Sequence, residues 1–217
     1  MISGYRNENI NLSRDDRGKP FLANNSKFGI LFNVSHQGDF AVLVGAKGVN
    51  EAVHRLGVDV MKSEYTGGKN QDEFFRIMGR NFSTEEWINI RGAGNETSRL
   101  AAFCRHWSLK ESYVKATGTG ITVNLQDISF KIHSPLRLGS TVCDTSLSIT
   151  GQSMTDWKFE ENLLNQQHCV GMACNFPFSP DGFKILSIAE LISDLEPFLP
   201  PDPDYCKAFF AKDERPK

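Results

Sequence analysis

The sequence has 217 residues, of which 40% are hydrophobic and 23% are charged, and its formal net charge is −2. These values are typical of a globular protein that can bury a substantial apolar core, in one domain or in two small ones. A chain so close to neutral lacks the positive charge typical of proteins that bind nucleic acid or anionic membranes, so any anion site must be a local cluster of lysine and arginine.

The cysteine pattern and the hydropathy indicate a protein of a reducing compartment. The five cysteines form no CxxC pair and no zinc-binding spacing, and an odd number fits poorly with a disulfide framework. Cys104 and Cys169 lie in apolar periodic segments and are predicted to be core thiols. No run approaches the ~20 apolar residues of a membrane span, and residues 1–6 lack a signal-peptide core. We therefore expect a cytosolic protein.

The segment 13–20 is rich in turn-forming residues and contains three cations, Arg14, Arg17 and Lys19. Taken alone, it favours a solvated loop. The alternative is a phosphate clamp, because arginine presents a planar fork of donors and lysine a mobile point charge, and both suit phosphate oxygens.

Apolar runs of strand length predict three strands, at residues 28–34, 40–44 and 56–61. Residues 35–39 are predicted to form a hairpin loop between the first two strands. Asn33, Ser35 and His36 then fall at the end of a buried strand, where a rigid sheet commonly carries functional side chains. The alternative, that these residues only cap and turn the chain, has equal weight.

Asp59 interrupts the third predicted strand, which is otherwise apolar. A carboxylate is costly to bury unless a cation or a metal ion pairs with it. Asp59 is therefore a candidate site residue, and the alternative is a surface position on an amphipathic edge strand.

Three helices are predicted, at residues 71–79, 83–91 and 97–118. Ser83 and Glu86 have the spacing of a capping box. The third helix is the strongest, with an apolar stripe formed by Leu100, Phe103, Trp107 and Val114. Thr97 or Ser98 can cap its start, and Gly118 can end it.

Ser108, Glu111 and Lys115 follow one another at steps of three and four along this third helix, so they share one face beside the apolar stripe. A surface ion pair between Glu111 and Lys115, stabilising by about 0.3–0.5 kcal/mol, is the ordinary interpretation. A partner such as Asp59 favours a functional site instead.

Short strands are predicted after the helices, at residues 121–123, 128–132, 147–150, 157–160 and 168–174. The order of elements predicts an α+β fold, with an antiparallel sheet packed against helices. From residue 177 the chain is predicted to be irregular, with a short helix at 188–195, a proline-rich stretch and a loosely held charged tail.

Four segments together resemble a known enzyme family. Residues 57–59 read Gly-Val-Asp and residues 107–115 read Trp-Ser-Leu-Lys-Glu-Ser-Tyr-Val-Lys. They are similar to the signature of the 4′-phosphopantetheinyl transferase superfamily, which is Gly-x-Asp on a strand, then Trp-x-x-Lys-Glu-(Ala/Ser)-x-x-Lys on a helix. Segments 14–19 and 33–36 resemble further family motifs in the same order. The resemblance is strongest to the larger, monomeric branch and to its animal members.

The resemblance implies one half of a pseudo-twofold fold and a transferase that uses Mg²⁺. Its substrates are coenzyme A and an acyl or peptidyl carrier protein. The enzyme moves the 4′-phosphopantetheine arm to a serine of the carrier, converts the apo carrier to its holo form and releases 3′,5′-ADP. Family members of this kind serve fatty-acid synthesis and lysine metabolism. The resemblance therefore implies a cytosolic monomer with carrier proteins as partners.

The resemblance also assigns site residues. It implies Asp59 and Glu111 as the metal ligands, in agreement with the preference of Mg²⁺ for one or two carboxylates, and Asp59, Glu111 and Lys115 as the catalytic residues. The residues implied in binding coenzyme A are Arg14, Lys19, Asn33, Ser35, His36 and Lys115. Lys110 belongs to the motif, but its side chain is predicted to point away from Glu111, in a secondary role.

Two departures from the family pattern have consequences. Many relatives carry a third acid two residues after the aspartate, where this chain has Met61, so a water molecule or Gln37 is expected to complete the metal shell.

The chain also begins just before the segment 14–19, which implies that most of the N-terminal half is missing. The implied domains are a remnant with the basic loop (1–27), a catalytic domain (28–176) and an irregular extension (177–217). The alternative function is a truncated, non-catalytic module that binds coenzyme A or carrier proteins.

Overall fold

The structure is a computed structural model that describes residues 10–23, 29–65, 67–68, 70–120, 123–196 and 200–212. The chain divides into two compact units, Met1–Phe183 and Lys184–Lys217. The strands of the first unit are β1 (Leu12–Arg14), β2 (Pro20–Leu22), β3 (Ile30–Gln37), β4 (Phe40–Lys47), β5 (Leu56–Lys62), β6 (Ile128–Lys131), β7 (Thr141–Val142), β8 (Ser146–Ile149), β9 (Gln152–Ser153), β10 (Lys158–Leu163) and β11 (His168–Cys174). Its helices are α1 (Gln71–Ile77), α2 (Thr84–Gly92) and α3 (Glu96–Thr117), with 3₁₀ turns at Met78–Asn81 and Leu125–Asp127.

The described strands form four antiparallel sheets, which confirms the predicted α+β fold. The largest has the order β5-β11-β10-β7. In it, β5 pairs along its length with β11, so that Asp59 lies opposite Gly171. The others are the hairpins β1–β2 and β3–β4 and a three-stranded sheet of order β6-β8-β9.

The four-stranded sheet lies between helix α3 and the β3–β4 hairpin. Because side chains alternate along a strand, Val58 and Val60 of β5 point to the hairpin and pack with Val42 and Val170. The intervening residues of β5, including Asp59, point to α3. The polar residue in an apolar strand therefore belongs to the face that meets the helix.

Glycine allows α3 to approach β5 closely. A Cβ atom at Gly57 would lie 2.1 Å from the carbonyl oxygen of Ser112 and 2.4 Å from the backbone nitrogen of Ala116. These are backbone atoms that cannot move aside without shifting the helix. The glycine two residues before Asp59 is thus a packing requirement, and it sets how near the helix lies to the aspartate.

Helix α3 begins one residue before the predicted position and is capped differently. The side chain of Asn95, and not that of Thr97 or Ser98, accepts a hydrogen bond from the backbone of Ser98 at 2.9 Å. Gly118 ends the helix with φ of 68°, a left-handed conformation that favours glycine, as predicted. The capping box of α2 between Ser83 and Glu86 is confirmed.

The core lies on both sides of α3. An aromatic cluster packs on one side, with Phe75, Phe82 and Phe103 fully buried and Trp87 and Trp107 partly buried. On the other side, Leu109 and Tyr113 pack with Phe130, Phe159 and their neighbours. Cys104 and Cys169 are buried free thiols, as predicted, and burial raises the pKa of Cys104 to about 12.

Several predicted boundaries were wrong. Strand β3 continues to Gln37, and the hairpin turn is Gly38–Asp39 alone, so Asn33, Ser35 and His36 lie within the strand and not at its end. Strand β4 extends beyond its predicted end at residue 44, through Gly45 and Ala46 to Lys47. The predicted strand 121–123 falls largely outside the described residues.

The second unit, Lys184–Lys217, contains α4 (Ile188–Ile192) and α5 (Pro203–Phe210). Helix α5 was not predicted, although Asp202 caps it and a proline occupies its first turn, which proline tolerates. None of the helices in the described part of the chain has both the length and the apolar content required to cross a membrane.

Candidate active site

Asp59 lies in a closed polar triangle with residues from two other elements. Lys115 Nζ of α3 donates to Asp59 Oδ1 at 2.6 Å and to Ser35 Oγ of β3 at 2.8 Å. Ser35 Oγ in turn donates to the same Asp59 oxygen at 2.7 Å. The carboxylate is buried, whereas the lysine side chain is 30% exposed. The pair therefore opens towards solvent on its lysine side.

Strand β3 reaches the site because polar side chains attach it to the edge of β5. Asn33 Oδ1 accepts from the backbone of Val58 at 2.9 Å, and Gln37 Oε1 accepts from the backbone of Lys62 at 2.6 Å. The two contacts join residues 33 to 58 and 37 to 62, so β3 runs beside β5 in the same direction. Ser35, between them on the same face, is directed at Asp59.

A cavity of about 320 Å³ opens beside this triangle. Its charged lining comes from Glu111 and Lys115 of α3 and from Arg17 and Lys19 of the β1–β2 hairpin. The rest of the lining consists of backbone and mostly apolar side chains, from Gly18, Pro20, Asn33, Val34, Val114, Gly118, Gly120 and Leu125. A cavity with apolar walls and a few convergent charges is suited to an organic anion.

Glu111 and Asp59 interact electrostatically. Burial raises the pKa of Glu111, and the charge of Asp59 raises it further, while Lys115 acts in the opposite direction. Burial likewise raises the pKa of Asp59, and its contacts with Lys115 and Ser35 offset only part of that effect. Because the charge of Asp59 disfavours ionisation of Glu111, a cation bound near both carboxylates would be stabilised by their negative charge.

The donor set is compatible with Mg²⁺ and supplies part of a coordination shell. Asp59 and Glu111 offer hard oxygen atoms, and Mg²⁺ commonly takes one or two carboxylates and completes its shell with phosphate and water. Among the described residues, no three His, Cys, Asp or Glu side chains converge as a metal site. Met61 packs with the aromatic cluster, and the side-chain oxygen of Gln37 is bonded to the backbone of Lys62.

The basic segment is a hairpin folded over the end of α3. Lys19 Nζ donates to the carbonyl oxygens of Lys115, at 2.9 Å, and Leu56, at 3.4 Å. Burial lowers the pKa of Lys19. Arg17 donates to the carbonyl oxygen of Gly118. Both cations thus hold backbone carbonyl groups, as expected for cations at a helix C-terminus, and both still line the cavity.

The structure brings most of the predicted site residues together but not all of them. Asn33, Lys19, Glu111 and Lys115 line the cavity, and Asp59 and Ser35 are joined to Lys115. Arg14 is exposed and donates to the carbonyl oxygen of Gly18 at 2.7 Å. His36 is exposed on the face of β3 opposite to Ser35. Neither of these two residues lines the cavity.

Sequence reasoning missed two contributions. Arg17 was part of the basic cluster but was not singled out. Asn33, Ser35 and His36 are predicted at a strand end and Gln37 in the hairpin loop, although the period of two at residues 33, 35 and 37 is the signal of one strand face. That signal could have identified the face of β3 that attaches to β5.

Two family models match the chain. The 4′-phosphopantetheinyl transferase superfamily model matches residues 55–173, which include Asp59, Glu111 and Lys115. A model for the N-terminal region of 4′-phosphopantetheinyl transferases matches residues 1–48, which include the basic hairpin and β3.

Curated relatives are similar over nearly the whole chain. The L-aminoadipate-semialdehyde dehydrogenase-phosphopantetheinyl transferase of Xenopus laevis is 38% identical over an alignment of 226 positions, which spans 96% of this chain and 72% of that protein. The protein of the same name from Homo sapiens is 36% identical over 230 residues, with coverages of 95% and 72%. A phosphopantetheinyl transferase of Thraustochytrium sp. is 36% identical over 169 residues, with coverages of 76% and 55%.

The extent of these matches, and the place of the predicted catalytic residues within the matched region, establish the family. The chain belongs to the 4′-phosphopantetheinyl transferase superfamily, a class of enzymes.

Proposed function

We propose that this protein transfers the 4′-phosphopantetheine arm of coenzyme A to a serine of a carrier protein and releases 3′,5′-ADP. The observation that carries the proposal is the Asp59–Lys115–Ser35 triangle, which adjoins Glu111 at the cavity. The relatives named for L-aminoadipate-semialdehyde dehydrogenase support that enzyme as one carrier-bearing acceptor. A non-catalytic module is not favoured, because the matched relatives are named as transferases.

We further propose that residues 28–176 form the catalytic domain, with residues 1–27 as an N-terminal segment and residues 177–217 as an extension, and that the protein acts as a cytosolic monomer. Asp59 and Glu111 would hold the metal ion. Many relatives have an acid at the position of Met61, and in this protein a water molecule would take the place of that third ligand. When bound, Mg²⁺ offsets the negative charge of the pyrophosphate and of the leaving group.

Glu111 and Lys115 have separate proposed roles in the transfer reaction. The serine oxygen of the carrier attacks the β-phosphorus of coenzyme A, and the bond from that phosphorus to the bridging oxygen breaks, so that 3′,5′-ADP leaves. Glu111 accepts the serine proton. Lys115, which is held by Asp59 and Ser35, presents a fixed positive charge to the phosphate oxygens at the mouth of the cavity.

Binding the nucleotide end of coenzyme A requires cations for its phosphate groups and a complementary cavity surface. Lys19 and Asn33 line the cavity and are proposed to contact it there. Arg14 and His36 lie outside that lining, so their proposed contacts would be with the 3′-phosphate beyond the rim. Side chains held by backbone contacts, such as Lys19, need little reorganisation on binding.

The test is incubation of the protein with coenzyme A, Mg²⁺ and an apo carrier protein, followed by mass spectrometry of the carrier. We expect the carrier to gain the mass of one phosphopantetheine arm at a single serine, with one 3′,5′-ADP formed for each transfer. Excess EDTA should abolish the gain, and added Mg²⁺ should restore it. An unmodified carrier under all these conditions would exclude the proposal.

A further inference from the structure

Lys110 is one of three charged residues in the 107–115 motif, and the reaction proposed above does not use it. Its side chain is completely buried, as is that of Glu86 on α2, and Lys110 Nζ lies 2.8 Å from Glu86 Oε2. The same nitrogen donates to the carbonyl oxygen of Leu125, at 2.8 Å, and to that of Ile128. The ammonium group thus has three acceptors for its three protons.

The surroundings of Lys110 complete a closed network. Lys110 Nζ lies 5.4 Å from the centre of the Phe82 ring, on its face, which is favourable for a cation. Glu86 also accepts from the backbone of Ser83, at 2.8 Å, and from that of Phe130, at 3.0 Å. One buried ion pair therefore joins α3 to the start of α2, to the 3₁₀ turn at Leu125–Asp127 and to β6.

A residue that Lys110 holds contributes to the cavity. Leu125, whose carbonyl oxygen accepts from Lys110, lines it, as do Gly118 and Gly120. Lys110 fixes the backbone of Leu125, and Leu125 lines the cavity together with Glu111 and Lys115.

We propose that Lys110 is a positioning residue that fixes the Leu125 wall of the cavity and so determines affinity for coenzyme A without touching it. The proposal rests on the proposed function for the identity of the ligand. Lys110 contacts this wall from outside the cavity, and the charges of Glu111 and Lys115 do not depend on it. Removing the Lys110–Glu86 ion pair should therefore weaken coenzyme A binding far more than it slows the chemical step.

The chain offers a matched control on the same helix. Arg105 forms a buried bidentate pair with Glu161, at 2.6 and 2.9 Å, and also donates to the carbonyl oxygen of Ser134 at 3.0 Å. It therefore also joins α3 to a distant loop carbonyl through a buried charge, but none of these residues lines the cavity.

The experiment compares two double variants, Lys110→Met/Glu86→Gln and Arg105→Met/Glu161→Gln, with the wild-type protein. Each removes both charges of a pair, so no unpaired charge remains buried. We expect the first to raise KM and the calorimetric Kd for coenzyme A about tenfold with kcat changed by less than about threefold, and the second to change affinity by less than about twofold. Amide hydrogen exchange over residues 123–128, without ligand, should become about tenfold faster in the first variant only.

Each result has a defined meaning. A wild-type protein that neither binds coenzyme A nor modifies the carrier defeats the proposed function, while hydrogen exchange still decides whether Lys110 fixes the wall. An active wild type with equal affinities in both variants, or with equal exchange over residues 123–128, overturns the role of Lys110. If the double variant does not fold, Lys110→Arg, which retains the charge but not the single nitrogen shared by three acceptors, must show the same rise in Kd.

Discussion

Helix α3 carries two lysines five residues apart, and each meets a carboxylate, but the two pairs differ in everything else. Lys110 and Glu86 are both 0% exposed, whereas the side chain of Lys115 is 30% exposed and that of Asp59 is 8% exposed. Five residues correspond to a rotation of about 140° around the helix axis, so the lysines face different surroundings.

The difference lies in what else each ammonium contacts. Lys110 uses all of its protons on a carboxylate and two carbonyl oxygens, and nothing further can bind to it. Lys115 is bonded to one carboxylate oxygen and one hydroxyl group, and it lines a cavity. We call Lys110–Glu86 the sealed pair and Lys115–Asp59 the open pair. The sealed pair is structural because both groups are buried and Lys110 has no proton left to donate, whereas the open pair is a candidate catalytic pair because Lys115 lines a cavity.

The largest expected effect comes from the open pair. Asp59→Asn should lower kcat/KM for carrier modification by about 10³-fold or more, because it removes a proposed metal ligand and the charge that holds Lys115. The melting temperature should change little, since Lys115 can be solvated through the cavity. Carrier modification followed by mass spectrometry and a thermal melt measure the two quantities.

Asp72→Asn is the control for this variant. Asp72 pairs with Arg99 of α3 at 3.2 Å, but its side chain is 79% exposed, so activity and stability should both remain near wild type. Near-normal activity of Asp59→Asn would instead mean that the open pair has no catalytic role.

The sealed pair should respond in the opposite way. Glu86→Leu leaves the Lys110 charge buried without its carboxylate and removes acceptors from two backbone amides, so the free energy of unfolding should fall by about 3 kcal/mol or more. Urea denaturation measures this loss. A smaller loss than that of Asp59→Asn would contradict the division into structural and catalytic pairs.

A finer test addresses the hydroxyl group that only the open pair possesses. Ser35→Ala removes one partner of Lys115 and one of Asp59 but leaves their direct contact, so kcat/KM should fall by about tenfold. Ser35→Thr, which retains the hydroxyl group, should recover most of the activity. Equal activities of the two variants would show that the hydroxyl group does not orient Lys115.

The smallest effect is on pH dependence. Burial alone raises the pKa of Glu86, but bonds and charges from His106 and Lys110 outweigh it, so the folded-state pKa is lowered. A lowered pKa means that the unfolded state binds more protons, so Glu86 contributes stability above the ordinary glutamate pKa of about 4.3, and this contribution is lost as pH falls through the lower folded value. Urea unfolding between pH 6 and pH 3 should therefore show a steeper acid loss in wild type than in Glu86→Gln; parallel curves would exclude the contribution.

Local signals predicted the parts of the fold that depend on nearby residues. The spacing of Leu100, Phe103 and Trp107 indicated α3, Gly118 indicated its end, and Ser83 with Glu86 indicated the start of α2. Asp59 is a candidate site residue because a charge in an apolar strand needs a partner. These signals depend on backbone periodicity and on caps within one turn, which the sequence displays directly.

Contacts between distant segments could not be predicted in the same way. Glu86 reads as a helix cap, and its use by Lys110 and Phe130 is invisible in sequence because the partners are 24 and 44 residues away. The alternation of Asn33, Ser35 and Gln37 shows that these side chains share one face of β3, but their contacts with the edge of β5 depend on the tertiary structure.

The sequence by itself determined the identity of the elements and the residue types able to bind a phosphorylated ligand, because helix period, strand period and motif spacing are properties of neighbouring residues. Only the tertiary structure decided which of the two lysines is sealed and which is open. That outcome depends on which segments cover each face of α3, and on the close approach of α3 to β5 that Gly57 permits.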